Sequence, residues 1–192
     1  MRAIMATNVT VDTTAWVDWL DKKGSYIYVD RMVDWHDQGL IRLFGVTRIQ
    51  LDTFLMDSSQ KEELERLFRI HKIELSSSPF RIGISTLGGP DTLSGSMTKI
   101  RSNDEVIAFC RLIKEPTTLH PSQVGNKIGN KIGDYDALRD HFKNGRDFFV
   151  TCDTKDYFQP KYRQTLKNEL GVTILSPEEF VNLQQPLLLS LQ

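Results

Sequence analysis

Residues 9–14, VTVDTT, and residues 147–153, DFFVTCD, decide the fold. Each is a short apolar run of strand length, and each leads to an aspartate, Asp12 in the first and Asp153 in the second. Parallel strands covered on both faces lose the alternation of apolar and polar residues, so continuous runs of this kind read as interior strands of an α/β sheet. Ligands of open α/β sheets bind beyond the carboxyl ends of the strands, where the strand order reverses. Asp12 and Asp153 are therefore expected at one edge of one sheet.

The same criterion gives strands at 8–12, 40–47, 147–152 and 171–175. Between them lie helix starts. Ser59 with Glu62, Ser102 with Glu105, and Ser176 with Glu179 each have the S-x-x-E spacing of a capping box, and Pro177 suits the first helical position. Leu64, Leu67, Phe68 and His71 follow the first box at i, i+3, i+4 and i+7, as do Val106, Phe109, Cys110 and Ile113 after the second. A further helix over about 134–144 should stop at Asn144-Gly145. Strands alternating with such helices predict a three-layer α/β/α sandwich with a central, mainly parallel sheet and right-handed crossovers. Residues 1–185 read as a single domain with a turn-rich elaboration at about 73–131, enclosing one strand at about 82–86 and the helix over 103–114. GNKIGNKI, residues 125–132, reads as a mildly basic loop before Asp134, and residues 186–192 as a C-terminal tail.

With 192 residues, 40% of them hydrophobic, the chain can build one well-buried core. Its net charge of -1 excludes binding to nucleic acid by bulk charge, so contact with a polyanion requires a local patch. Cys110 and Cys152 show no CxxC spacing, which fits a reducing compartment. The N-terminus lacks the apolar block of a signal peptide, and no run of about 18 apolar residues occurs. A cytoplasmic protein without a membrane span is expected.

A third acid, Asp134, should open the helix that feeds the strand ending at Asp153, where the positive helix end favours its ionised form. Asp52, just after the second strand, is a fourth candidate. Carboxylates about 4 Å apart repel by roughly 4 kcal/mol at an effective dielectric near 20, so a cluster of them calls for a cation or protons. Oxygen ligands select Mg²⁺ or Mn²⁺ over zinc. Such an ion activates water and neutralises charge on a phosphodiester, which makes hydrolysis of that bond the implied chemistry. The structural alternative is that each aspartate is a helix N-cap.

The C-terminal segment DYDALRDHFKNGRDFFVTCDTKDYF, followed by GVTILSPEEFV, resembles the closing half of PIN-domain proteins, and VTVDTTAWVDWL resembles their first strand and acid. The resemblance covers about a third of the chain. It implies a metal-dependent endoribonuclease whose Mg²⁺ or Mn²⁺ is held by Asp12, Asp134 and Asp153. Thr151 is then the hydroxyl beside the fourth acid, and Asp136 competes with Asp134 for the third position. Asp52 corresponds to a position where the family usually has Glu, and Thr14 to one where it commonly has Asn. RNA is the implied substrate and the products carry a 5′-phosphate and a 3′-hydroxyl. Family members often act as toxins restrained by a small antitoxin, which makes such a protein the implied partner. The alternative is a non-catalytic PIN-like module that binds RNA or protein.

Other residues read as structural. His141 lies two turns from Asp134, roughly 10 Å at 1.5 Å per residue, too far to share an ion, so packing or a hydrogen bond is expected of it. His36, His71 and His120 show no ligand spacing, and Cys152 should point away from Asp153. Trp16, Trp19 and Leu20 have the spacing of a core-facing helix. Lys127, Lys131, Arg139, Lys143, Arg146, Lys155, Lys161 and Arg163 are expected mostly at the surface, where those near the acids could meet phosphates. The leucines of QQPLLLSLQ either pack on the domain or cover a second copy in a homo-oligomer.

Overall fold

The computed structural model describes residues 6–46, 57–76, 108–109, 111–113, 127–155 and 158–189, with the backbone alone for 127–132. Five strands form its sheet: β1 (Thr7–Val11), β2 (Ile41–Val46), β3 (Glu74–Ser76), β4 (Phe148–Val150) and β5 (Thr173–Leu175). Their order is β3-β2-β1-β4-β5, and every pairing is parallel. The chain winds outward from β1 through β2 to β3, then crosses to the other side of β1 for β4 and β5. The order thus reverses between β1 and β4, whose ends are level: Val11 pairs with Val150.

Six helices of the described residues cover this sheet: α1 (Thr13–Asp21), α2 (Tyr26–Asp37), α3 (Ser58–Ile70), α4 (Lys127–Lys143), α5 (Pro160–Leu170) and α6 (Pro177–Leu189). Strand alternation sorts them into two layers around the sheet. Val9, Val11, Ile41, Leu43 and Val150 point into one core with Trp16, Met32, Leu64, Phe68 and Phe180 of α1, α2, α3 and α6. Phe149 and Ile174 point the other way, to meet Leu138 and Phe142 of α4, Leu166 of α5, and Phe109. The result is the expected three-layer α/β/α sandwich, with an all-parallel sheet. No helix of the described residues is long and apolar enough to cross a membrane.

The strands expected at 8–12, 40–47, 147–152 and 171–175 and the Ser176–Glu179 capping box are present: Ser176 Oγ accepts from Glu179 N at 3.1 Å while Ser176 N donates to the Glu179 carboxylate at 2.6 Å. Gly145 ends α4 with φ 58°, a left-handed conformation that glycine adopts without strain. Four boundaries differ from the sequence reading. The box of α3 is formed by Asp57 and Gln60: the Asp57 carboxylate captures Gln60 N at 2.8 Å, and the helix begins at Ser58, before Ser59 can cap it. Strand β3 lies inside the segment read as an elaboration and forms the sheet edge. The GNKIGNKI segment is helical from Lys127, so Asp134 sits in the second turn of α4 and does not open it. Each glycine costs a helix about 1 kcal/mol relative to alanine, and burial of Tyr135, Leu138, His141 and Phe142 further along outweighs that preference. Finally, α6 continues through Pro186 to Leu189, because Phe180, Val181, Gln184 and Leu188 keep one face packed against the core.

The strand read at 82–86, the Ser102–Glu105 box and Asp52 lie outside the described residues. Within the helix read over 103–114, residues 108–109 and 111–112 are helical, and Phe109 stacks on Phe142 with ring centroids 4.7 Å apart.

Candidate functional site

Asp12 is the first residue beyond β1 and the N-cap of α1, with extended backbone at φ -75° and ψ 159°. Its amide donates to Val150 O at 2.9 Å, which fixes it against the end of β4. Trp16, one turn into α1, donates from its indole nitrogen to Val11 O at 3.1 Å and anchors the helix start. Asp12 does not use its side chain as a cap. Instead its Oδ2 accepts two hydroxyl bonds, from Thr14 Oγ1 and from Thr151 Oγ1, each at 2.8 Å.

Those hydroxyls are oriented by the backbone. Cys152 N donates to Thr14 Oγ1 at 3.2 Å, and Asp153 N donates to Thr151 Oγ1 at 3.0 Å. An amide can only donate and a hydroxyl has one proton, so both hydroxyl protons are directed to the carboxylate. The two oxygens also lie 3.2 Å apart, which closes the arrangement. Asp153 is half-buried, and its Oδ1 accepts from Lys155 N at 2.7 Å in an Asx turn that holds the carboxylate at the loop.

Asp12 is only 8% exposed, and burial raises its carboxyl above the usual range. The bonds from Thr14 and Thr151 and from the Thr13 amide oppose that rise, and the charge of nearby Asp153 adds to it. Two acids that repel each other thus share one edge, and Asp12 is held from one side by two hydroxyls. The donor set fits a hard divalent cation, since Mg²⁺ is commonly held by one or two carboxylates with water and substrate phosphate completing its shell.

Asp134 is half-buried on α4. The rotation of that helix follows from His141, which is 1% exposed and whose Nδ1 lies 2.9 Å from Thr10 Oγ1 on β1. Residues seven apart differ by about 20° around a helix, so Asp134 shares the sheet-facing side with His141, whereas Asp136 lies about 160° away from Asp134. Asp136 is buried on that far side. Among the described residues, no three His, Cys, Asp or Glu side chains converge on one ion position. The structure therefore links Asp12 through the Thr151 hydroxyl to the backbone of Asp153, carries Asp134 on α4, and leaves Asp52 outside the described residues.

Several residues take roles that the sequence reading did not assign. Thr14 is a direct partner of Asp12. Arg146, read as surface, is buried: its Nη1 donates to Ser76 Oγ at 2.7 Å, Asp140 Oδ2 at 3.1 Å and Thr10 Oγ1 at 3.2 Å, and its guanidinium lies 4.2 Å from the Phe44 ring centroid. Burial works against both charges, raising Asp140 and lowering Arg146, while their mutual attraction opposes it. A lone arginine before a strand carries no signal of such a partner. Cys152 is a free, half-buried thiol pushed up to about 12, chiefly by burial, so it is not a thiolate nucleophile at neutral pH. His36 is held by the backbone, accepting from Leu43 N at 3.2 Å through Nδ1 and facing His71 O at 3.0 Å through Nε2. His71 pairs with Asp37 at 2.8 Å, and His120 lies outside the described residues.

Fold and site together define an open parallel α/β protein with an acid and hydroxyl centre at its topological switch point. Comparisons of the chain with protein-family models, curated proteins and solved structures each found no match.

Proposed function

We propose that this chain is a PIN-like ribonuclease that hydrolyses RNA phosphodiester bonds with Mg²⁺ or Mn²⁺ held by Asp12 and Asp153, with Asp134 completing the acidic edge. The observation that carries the reading is the double hydroxyl contact on Asp12 Oδ2, made close enough to Asp153 for its charge to repel the Asp12 carboxylate. Hydroxyl donors favour the ionised acid that a cation needs, and the backbone amides of Cys152 and Asp153 keep those donors from turning away. When bound, the ion supplies Lewis-acid activation of water and neutralises charge on the phosphodiester. Asp12 and Asp153 would orient it, and no side-chain nucleophile is required.

The same reading makes the protein cytoplasmic and gives it RNA as substrate and a small antitoxin-type protein as partner. Leu183 and Leu187 of α6, both exposed and one turn apart, are available to that partner or to a second copy of the chain. A second reading, a non-catalytic module that binds RNA or protein, is favoured by the lack of a three-ligand group among the described residues.

The test compares wild type with Asp12→Asn on labelled single-stranded and hairpin RNA pools, with and without Mn²⁺. Mn²⁺-dependent cleavage by wild type alone, leaving 5′-phosphate ends, is the expected result. Equal cleavage by the variant, or none by wild type on any pool, refutes the nuclease, and binding without cleavage establishes the second reading.

A further inference from the structure

We propose that the buried bond between His141 Nδ1 and Thr10 Oγ1 sets the rotation and depth of α4 so that Asp134 faces the Asp12–Asp153 edge, making His141 a positioning residue for the divalent cation. The inference rests on the metal-dependent reading above.

Thr10 is fully buried on β1, two residues before Asp12, and its hydroxyl meets both His141 Nδ1 at 2.9 Å and Arg146 Nη1 at 3.2 Å. Arg146 in turn joins Asp140 of α4 to Ser76 of β3. Neighbouring residues on a helix differ by about 100°, so Asp140 and His141 tie α4 to the sheet along two directions. The ring of His141 is held edge-on to Phe149 with centroids 5.5 Å apart. Apolar side chains could fill this space with comparable stability, since burying charges and imidazoles is costly. Directional bonds do what apolar packing does not: they pin the depth of a helix that could otherwise slide.

The depth matters because of what α4 carries. The short connection from Lys143 to Phe148 makes α4 run back along the sheet, its N-terminal side toward the carboxyl ends of the strands. Asp134 lies about 10.5 Å from His141 in that direction, at 1.5 Å per residue. Asp12 lies roughly 6.6 Å from Thr10 the same way, at 3.3 Å per strand residue. Asp134 is thus placed roughly 4 Å beyond the level of Asp12, over the strand ends, from the same sheet-facing side as His141. At that offset its carboxylate would act through the water shell that Mg²⁺ and Mn²⁺ retain.

The test titrates the full chain with Mn²⁺ alone by calorimetry and records the melting midpoint of each variant. Residues that orient metal ligands cost about 10–100-fold in affinity when removed, so Asp134→Asn and His141→Phe should each weaken Mn²⁺ binding by about 10-fold. The double variant should lose little more than either single one, since both remove the same contribution. His141→Asn, whose amide keeps a polar atom near the Nδ1 position, should recover most of the affinity, a rescue that a purely structural defect would not give. Thr10→Val removes the partner while retaining volume and serves where His141→Phe does not fold. Wild-type affinity in Asp134→Asn, in His141→Phe or in Thr10→Val overturns the inference, as do losses that multiply in the double variant. Binding that is absent in wild type, or untouched by Asp12→Asn, overturns the metal-dependent reading itself and this inference with it.

Discussion

Thr151 Oγ1 donates to Asp12 Oδ2 across 2.8 Å, joining the first residues beyond two neighbouring parallel strands although they stand 139 positions apart. The contact closes the topological switch point: β1 and β4 end at the same level, and the first side chain past each end turns toward the other. Thr14 repeats the contact from the start of α1, so one carboxylate oxygen gathers a strand end, a helix start and a loop.

Thr151→Val keeps the shape of a fully buried side chain while removing a hydrogen bond to a charged group and leaving Asp153 N without its acceptor. Bonds of this kind contribute about 1.5–3 kcal/mol, and that is the loss expected in urea denaturation at pH 7. Thr151→Ser retains the hydroxyl and should lose no more than about 0.8 kcal/mol, the value of one buried methyl group. Equal losses in the two variants would show that the hydroxyl does not matter.

Asp12 itself opposes folding at neutral pH. Burial raises its folded carboxyl above the unfolded value of 3.8, so the folded state holds its proton more tightly. The stability that this proton provides is complete below the unfolded value and is lost as pH rises through the raised folded value. Asp12→Asn can offer its carbonyl oxygen to both hydroxyls without a buried charge. In metal-free buffer at pH 7 it should melt higher than wild type, by about 2–4 °C for each kcal/mol gained in a chain of this size, and the advantage should shrink toward pH 3. Mn²⁺ should raise the midpoint of wild type and raise that of the variant less, because the variant lacks one of the carboxylates proposed to hold the ion.

The sheet and its switch point were legible because they rest on local signals, short apolar runs and the acids that end them. Asp12 is the first residue beyond β1, and Asp153 lies three residues beyond β4. Strand β3 was missed because three residues, Glu74–Ser76, carry too little pattern to be distinguished from a loop. The start of α4 was missed for a different reason: Gly129 and Gly133 are poor helix formers, and only packing further along the chain reveals that the helix tolerates them. Thr14 reaches Asp12 from two residues away and Arg146 reaches Asp140 from six, yet neither residue type announces such a partner by its spacing.

Gly45 illustrates the same limit in β2. A Cβ there would meet Phe68 Cε2 at 2.6 Å and Leu75 Cδ2 at 2.9 Å. Phe68 cannot withdraw freely, since its ring packs edge-on to Trp16 with centroids 4.8 Å apart. Gly45→Ala should therefore destabilise by about 1–3 kcal/mol, the range for overpacked cores. Phe68→Leu in the same chain should offset part of that loss, and strict additivity in urea denaturation would refute the steric account.

The Asp140–Arg146 pair, with side chains 7% and 4% exposed, should behave as buried ion pairs do when halved or replaced. Asp140→Asn leaves the Arg146 charge uncompensated, and Arg146→Met strands the carboxylate, so each should cost about 3–5 kcal/mol. Asp140→Leu combined with Arg146→Met removes both charges and should be much less destabilising than the sum of the single losses. Arg146 Nε has no hydrogen-bond partner among the described residues, which further lowers the cost of giving up the guanidinium. Chemical denaturation of wild type and these three variants measures the coupling. Should the double variant lose as much as the single losses combined, the two side chains do not act as a pair, and the anchoring of α4 to β3 through Arg146 fails with it.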